Sequence, residues 1–406
     1  MAIIPAELIE DILRRLPVKT LKRFRAVSKT WCFLIDSERF IKLHFRHSLI
    51  TNSHRNLILG GLALYAVDLD SLDKAHVIKP PFYYKSVDSI SNSCNGIVLV
   101  MSEPPVLWNP FSRSYKVLPN TCVESPPAAD LEESYSRTTY GFGYDSRNDD
   151  YKVVKVVEYR NTETHIWLSS EAKIYGLKSN SWRTIKSFPY SLPFLRGHWR
   201  VLVNGALHTL AGGSPGDVHG ARIMGFSVES EEHYEVKMPY GIQIWKVDLS
   251  LDVIEGRLAM ICATRSRVVM WVMKEYGVKE SWMKLLTIAP PAIEKHDIMK
   301  PLVYSKEGDK VLLNCDDKKL IWYDLKKRTV EDVTVDGQPF VFYAEPCIQS
   351  LISLDGPSGV KKQGKEKEKS KARKMIRRNK RLSSSILNIS LLPVCYIYIY
   401  IYICMF

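Results

Sequence analysis

The chain is predicted to be a small all-α module of three to four short helices followed by an all-β domain, a kelch-like β-propeller of about six blades. Three observations predict this. Apolar residues recur at helical spacing only within residues 1–46. From residue 51 the period falls to two, in short runs rich in Val, Ile, Tyr and Trp separated by Gly, Asn, Asp and Ser turns. One short pattern then recurs along residues 51–355.

The helices come first. On a wheel of 100° per residue over residues 6–16, Leu8 and Ile12 lie at about 0–40°, Ile9 and Leu16 at about 80–100° and Leu13 at about 140°. Glu7, Glu10, Asp11, Arg14 and Arg15 fill the other side. Pro5 suits the first turn, where a missing N–H costs little, and Pro17 ends the helix because its ring blocks continuation. A second helix from Val18 sets Val18, Leu21, Phe24 and Val27 against Lys19, Lys22 and Arg23. Arg25 falls inside the apolar half and requires an acidic or carbonyl partner. Ser28 is placed to cap a third helix, Lys29–Ile35, with Trp31 and Leu34 inward. Asp36 or Ser37 caps a fourth, carrying Phe40, Ile41 and Phe45. Helices this short are marginal alone. Either they cover the following domain, or they complete their core with a partner's helices.

The stretch IPAELIEDILRRLPVKTLKRFRAVSKTWCFLIDSERFIKLHF resembles the F-box of plant F-box proteins. The match rests on the opening Ile-Pro, on Leu16-Pro17, on the run from Leu21 through Phe24-Arg25 and Val27-Ser28-Lys29 to Trp31, and on Phe40. The resemblance implies docking onto a Skp-type adaptor and, through it, a cullin and a RING subunit of a ubiquitin ligase. It assigns Pro5, Leu8, Ile9, Ile12, Leu13, Leu16, Pro17, Val18, Leu21, Arg25, Val27, Ser28 and Trp31 to lining or shaping that contact. Of these, Trp31 and Val27 are the leading candidates for holding the module's own helices together.

In the second part, NGIVLVM, YKVVKVVEY, GRLAMICA, DKVLLNC and KKLIWYDL read as strands. An apolar pair, a polar turn and a short strand recur around Tyr65, Trp108, Tyr175, Gly225, Trp271 and Trp322. The spacing is compatible with propeller blades of roughly 40–50 residues, with one long gap filled by the polar, proline-rich PNTCVESPPAADLEESYS. Trp108, Trp271 and Trp322 share one place in the unit, which makes them inter-blade core rather than a ligand platform. The ordered series SCNGIV, LWNPFSRSYKVLP, YGFGYDSRNDDYKVVKV, IYGLKSNSWRTI, VNGALHTL and VMKEYGVKESWMKLLTI is similar to the F-box-associated domain. That resemblance implies a substrate receptor: a non-catalytic subunit that selects a protein target. Similarity along the whole chain to one plant member of this family further suggests immune receptors as the target class and defence signalling as the process restrained. The target-binding residues stay unassigned.

Motifs of catalysis are missing. There is no HExxH, GxSxG or Walker loop. His44 and His47 are spaced i,i+3 without further ligands, so no metal and no cofactor are expected. DSRNDDYK reads as a solvated turn, and the two glycines of YGFGYDS as strand-and-turn geometry. Eight cysteines stand singly, which fits free thiols in a reducing compartment. No secretory signal is expected at the N-terminus, and cytoplasm and nucleus are the expected locations.

The net charge of +13 is concentrated at the ends: +5 in residues 1–50 and +10 in 361–381, against −2 for the rest. A nucleic-acid-binding propeller with a basic tail and no ligase role is therefore the alternative reading, and a propeller enzyme or lectin a third. The basic run 361–381 reads equally as a solvated tail or as a nuclear signal or anionic-surface contact. Residues 386–406 are long and apolar enough for a tail anchor, but the Tyr-Ile alternation of residues 396–402 fits translated non-coding sequence better. Segment 382–406 is thus expected to be a gene-model artefact.

Overall fold

A computed structural model describes residues 5–354 except 62, 83–89, 103, 122–133, 165, 192–197, 200, 212–220, 243–247, 265 and 290–298. The expectations for 361–381 and 382–406 lie outside the described residues, as does most of the proline-rich loop. The last residues of that loop, Ser134–Ser136, belong to a strand instead.

Four helices open the chain: α1 (Ala6–Leu13), α2 (Val18–Phe24), α3 (Lys29–Asp36) and α4 (Glu38–Ile50). α1 stops short of residue 16. Arg15 N–H bonds to Ile12 O (3.2 Å) and Leu16 N–H to Leu13 O (3.1 Å), a tighter turn that brings the chain to Pro17 in the extended state its ring demands. Ser28 Oγ accepts from Trp31 N–H at 3.1 Å and caps α3. Ser37, not Asp36, caps α4 through Phe40 N–H at 3.2 Å.

Six sheets follow. The first holds β1 (Arg55–Gly60), β2 (Leu64–Asp68) and β3 (Ala75–Ile78). The second holds β4 (Ile90–Cys94), β5 (Ile97–Val100), β6 (Val106–Trp108) and β7 (Tyr115–Val117). The third has β8 (Ser134–Asp145), β9 (Asp150–Asn161), β10 (Trp167–Gly176) and β11 (Ser181–Ile185), with β12 (His198–Trp199) added parallel to β8. The fourth is β13 (Val201–Val203), β14 (Ala206–Ala211), β15 (Arg222–Ser227) and β16 (His233–Val236). The fifth is β17 (Asp248–Ile254), β18 (Arg257–Ala263), β19 (Val268–Met273) and β20 (Trp282–Ile288). The sixth is β21 (Met299–Tyr304), β22 (Lys310–Cys315), β23 (Lys319–Asp324) and β24 (Val330–Val333). The final strand, β25 (Tyr343–Ile348), returns to pair antiparallel with β1 and becomes the innermost strand of the first sheet. This closes a six-bladed propeller, whose blades keep only short, protected edges at the axis. All six repeat anchors, Tyr65, Trp108, Tyr175, Gly225, Trp271 and Trp322, fall on the next-to-outermost strand of their blades.

Period two explains the packing. Along β18, Leu258, Met260 and Cys262 face the fourth blade while Ala259 and Ile261 face the sixth. Along β22, Val311 and Leu313 face the fifth blade and Leu312 the first. Each blade is buried on both faces, so six apolar clusters alternate with six sheets around the ring. That is why a second strand such as YKVVKVVEY is buried along its whole length, with Val side chains on both faces. At the rim, Trp182 Nε1–H donates to Pro119 O (2.7 Å) and Trp282 Nε1–H to Lys237 O (2.9 Å), each latching a blade to the one before.

Several expectations are corrected. Trp108 is fully buried, but Trp271 and Trp322 are only half-buried at their interfaces. The glycines of YGFGYDS lie inside β8 rather than at a turn: a Cβ on Gly141 would stand 2.5 Å from Leu207 Cδ1, so close approach of the next blade excludes a side chain. In DSRNDDYK only residues 146–149 are exposed. Asp145 is buried, pairs with Lys152 at 2.7 Å and accepts from Arg147 and Asn148 N–H. Burial also lifts the Cys94 and Cys347 thiols to about 12 and Cys262 to about 11, which keeps them protonated and unreactive.

His208, on β14, is buried between blades. Its Nδ1 faces Val201 O (3.4 Å) and its Nε2 faces Tyr276 Oη (2.6 Å). Burial pulls its pKa from 6.5 down to about 4. Stability from the neutral ring is complete above 6.5 and is lost as pH falls through that window, by about 3 kcal/mol at pH 4. Urea midpoints from pH 7 to 4 should therefore fall more steeply for the wild type than for His208→Gln.

Candidate adaptor-docking surface

The apolar stripe of α1 is covered unevenly. Leu13 is fully buried, Ile9 and Leu16 are half-buried, and Leu8 and Ile12 are 55% and 54% exposed. Exposure thus rises steadily across the wheel, from the residue at about 140° to the pair at about 0–40°. The stripe is wider than the surface this chain provides to cover it.

Leu13, Val18 and Leu21 are sealed with Ile35 and Phe40 in the module's own core. Of the lining and shaping roles expected of these three, their burial leaves only shaping. Trp31 does hold helices together, its ring 5.5 Å from Phe24. Val27 does not: it is 61% exposed. Pro5, Pro17, Arg25 and Ser28 are exposed as well. Arg25 has the acidic partner its position required, Asp36 at 2.6 Å, and Ser28 is occupied in capping α3. Phe33, on α3, is 78% exposed and escaped sequence reading. Its signal was an aromatic on the side of the wheel away from Trp31 and Ile35.

The module is fastened to one end of the propeller. Leu351, just past β25, and Phe111, between β6 and β7, enter its core. Gln349 Oε1 accepts from Val18 N–H (3.2 Å), while its Nε2 donates to Asn56 Oδ1 (2.9 Å). Lys22 Nζ donates to Ser112 O. His44 Nε2–H donates to Leu16 O (2.9 Å) and His54 Nε2–H to Arg15 O (3.1 Å), and the two rings stack at 5.8 Å. The last carbonyls of the α1 turn are satisfied in this way. Burial lowers the pKa of His44, keeping it neutral in this seat. Every propeller residue used lies at the end where first strands turn into second strands and third into fourth. At that end β4–β5, β13–β14 and β17–β18 are joined by tight turns at Asn95-Gly96, Asn204-Gly205 and Glu255-Gly256, all with positive φ. Successive blades are joined at the other end, where β7 and β16 finish. Among the described residues no group of three or more His, Cys, Asp and Glu could hold a metal ion, and no helix is long and apolar enough to cross a membrane.

The fold is bipartite: a helical module with an uncovered apolar ridge is mounted on a closed propeller. The chain belongs to the F-box proteins with an F-box associated beta propeller domain, since models of the F-box domain and of that propeller match residues 2–43 and 31–355. It is 36% identical to F-box protein CPR1 of Arabidopsis thaliana over 372 residues, 87% of this chain and 89% of that protein. An F-box/kelch-repeat protein of the same plant is 29% identical over 333 residues, 76% of this chain and 85% of its own length.

The split of α1 has a direct consequence for stability. Leu13→Ala should cost about 2–4 kcal/mol by leaving a cavity, whereas Leu8→Ala should change stability by less than about 0.5 kcal/mol. Thermal unfolding of the two variants beside the wild type checks this.

Proposed function

We propose that the protein is the substrate-recognition subunit of a Skp–cullin–F-box E3 ubiquitin ligase. α1–α4 dock onto the Skp-type adaptor, and the adaptor brings the cullin and RING subunits. The propeller holds the target at its end away from the helices. The chain itself catalyses nothing in this reading; ubiquitin transfer belongs to other subunits. The observation that carries the proposal is the exposure of Leu8 and Ile12 on a helix whose Leu13 is fully buried. Covering two such side chains contributes about 3 kcal/mol, a factor of about 100 in affinity.

Similarity to F-box protein CPR1, the constitutive expresser of PR genes protein, extends the reading to plant immune receptors as targets and to negative regulation of defence. Action in cytoplasm and nucleus is part of the same proposal.

The test is affinity capture of the full chain from plant cells with the proteasome blocked. The wild type should recover the adaptor, the cullin and ubiquitinated target. Leu8→Asp with Ile12→Asp should lose the adaptor and cullin, keep its thermal midpoint, and retain the target. Recovery of the adaptor at wild-type level by the double variant would refute the docking assignment.

A further inference from the structure

Residues 1–50 contain ten cations and five acids. Four of the acids are occupied within the chain. Asp11 pairs with Arg14 and with Arg15 (2.8 Å), Glu10 with Arg39 (3.1 Å), Asp36 with Arg25 (2.6 Å) and Glu38 with Lys42 (2.8 Å). Lys22 donates to the Ser112 carbonyl. Among the described residues Lys19, Arg23, Lys29 and Arg46 form no ion pair, and all four are exposed. Three of the four cluster within residues 19–29.

Local stability does not account for that cluster. Lys19 and Arg23 are one turn apart on α2, where like charges repel. Lys19 and Lys29 stand in the first turns of α2 and α3, the ends at which the helix dipole disfavours a cation, and neither first turn contains an acid. Each of these placements works against the helix bearing it. Exposed Val27 lies between Arg23 and Lys29 in the chain, and Phe33 follows on α3. Apolar and cationic side chains interspersed in this way fit a protein surface that is acidic and partly apolar. A nucleic-acid backbone would leave Val27 and Phe33 unmatched.

We propose that Lys19, Arg23 and Lys29 form a steering rim for the docking surface, with Val27 as its apolar element, and that the adaptor face meeting this rim is acidic. The inference rests on the docking role proposed above and adds the chemistry of the partner. Long-range attraction brings the acidic face toward the module, and Leu8 and Ile12 then hold it by burial. The rim acts on the association rate and the ridge on the dissociation rate.

The experiment measures association and dissociation of the full-length chain with a purified Skp-type adaptor at about 50 and 300 mM salt. Lys19→Glu/Arg23→Glu/Lys29→Glu should lower the association rate about tenfold or more at low salt and leave dissociation within about threefold; the gap should shrink at high salt. The neutral set Lys19→Gln/Arg23→Gln/Lys29→Gln should fall between the two, guarding against an effect of misfolding. Arg46→Glu, on α4, should match the wild type. Equal association rates for the wild type and the triple-Glu variant at low salt would overturn the rim, as would an equal loss in Arg46→Glu. A duplex DNA probe bound by the wild type and lost in the triple-Glu variant, with adaptor association unchanged, would also overturn it. If Leu8→Asp/Ile12→Asp abolishes binding while the triple-Glu variant does not alter it, only the rim fails. If the wild type does not bind the adaptor at all, the docking role fails first.

Discussion

The pairing of β25 with β1 is the constraint on which the rest of this molecule depends. Its register runs from Arg55 opposite Ile348 to Gly60 opposite Tyr343 and joins the two ends of a chain that has travelled through five other blades. Lys300 reinforces the closure by binding Ala344 O (2.9 Å) and Glu345 (2.8 Å) from the neighbouring inner strand, and Glu345 in turn accepts from Ser93 N–H (3.1 Å) in the next blade. Three inner strands are thereby tied at the axis. The approach is so close that a Cβ on Gly96 would stand 2.4 Å from Ile348 O, and the φ of +76° at Gly96 independently favours glycine.

Closure also positions the helices. The residues immediately after β25 run beneath the ring, where Asn109 Nδ2 donates to Ser350 O (3.0 Å) and Ile352 O (2.9 Å). Gln349 and Leu351 are delivered to α2 and the module's core, although Gln349 and Val18 are 331 positions apart in sequence. Without the returning strand, the short helices would lose the wall that completes their packing. The same wall stops short of Leu8 and Ile12. One helix therefore divides a single stripe, with its inner edge in the folding core and its outer edge left exposed, where the docking contact is proposed. Charge follows a similar division: most acids of the module neutralise its own cations, and the surplus collects along α2 and the start of α3.

Much of this could be read from the chain. Caps at Ser28 and Ser37, stops at Pro17 and the six repeat anchors are all consequences of local geometry. The same reasoning went astray where a residue's neighbours are distant. Val27 looked like helix cement because it continues the α2 pattern, but the helix ends at Phe24 and Val27 turns outward. The Gly141 and Gly143 pair read as strand-and-turn geometry, yet both lie within a strand, where side chains of the adjacent blade impose them. The short parallel strand β12 left no periodic trace at all.

By itself the sequence determined the kinds of element, their order and the family, because dihedral preferences, periodicity and short motifs act within a few residues. Only the tertiary structure decided how far the α1 stripe is covered, which cations find acids, and which end of the propeller receives the helices. Those outcomes depend on surfaces brought together by ring closure from opposite ends of the chain, and a helical wheel records the direction of a side chain but not what stands opposite it.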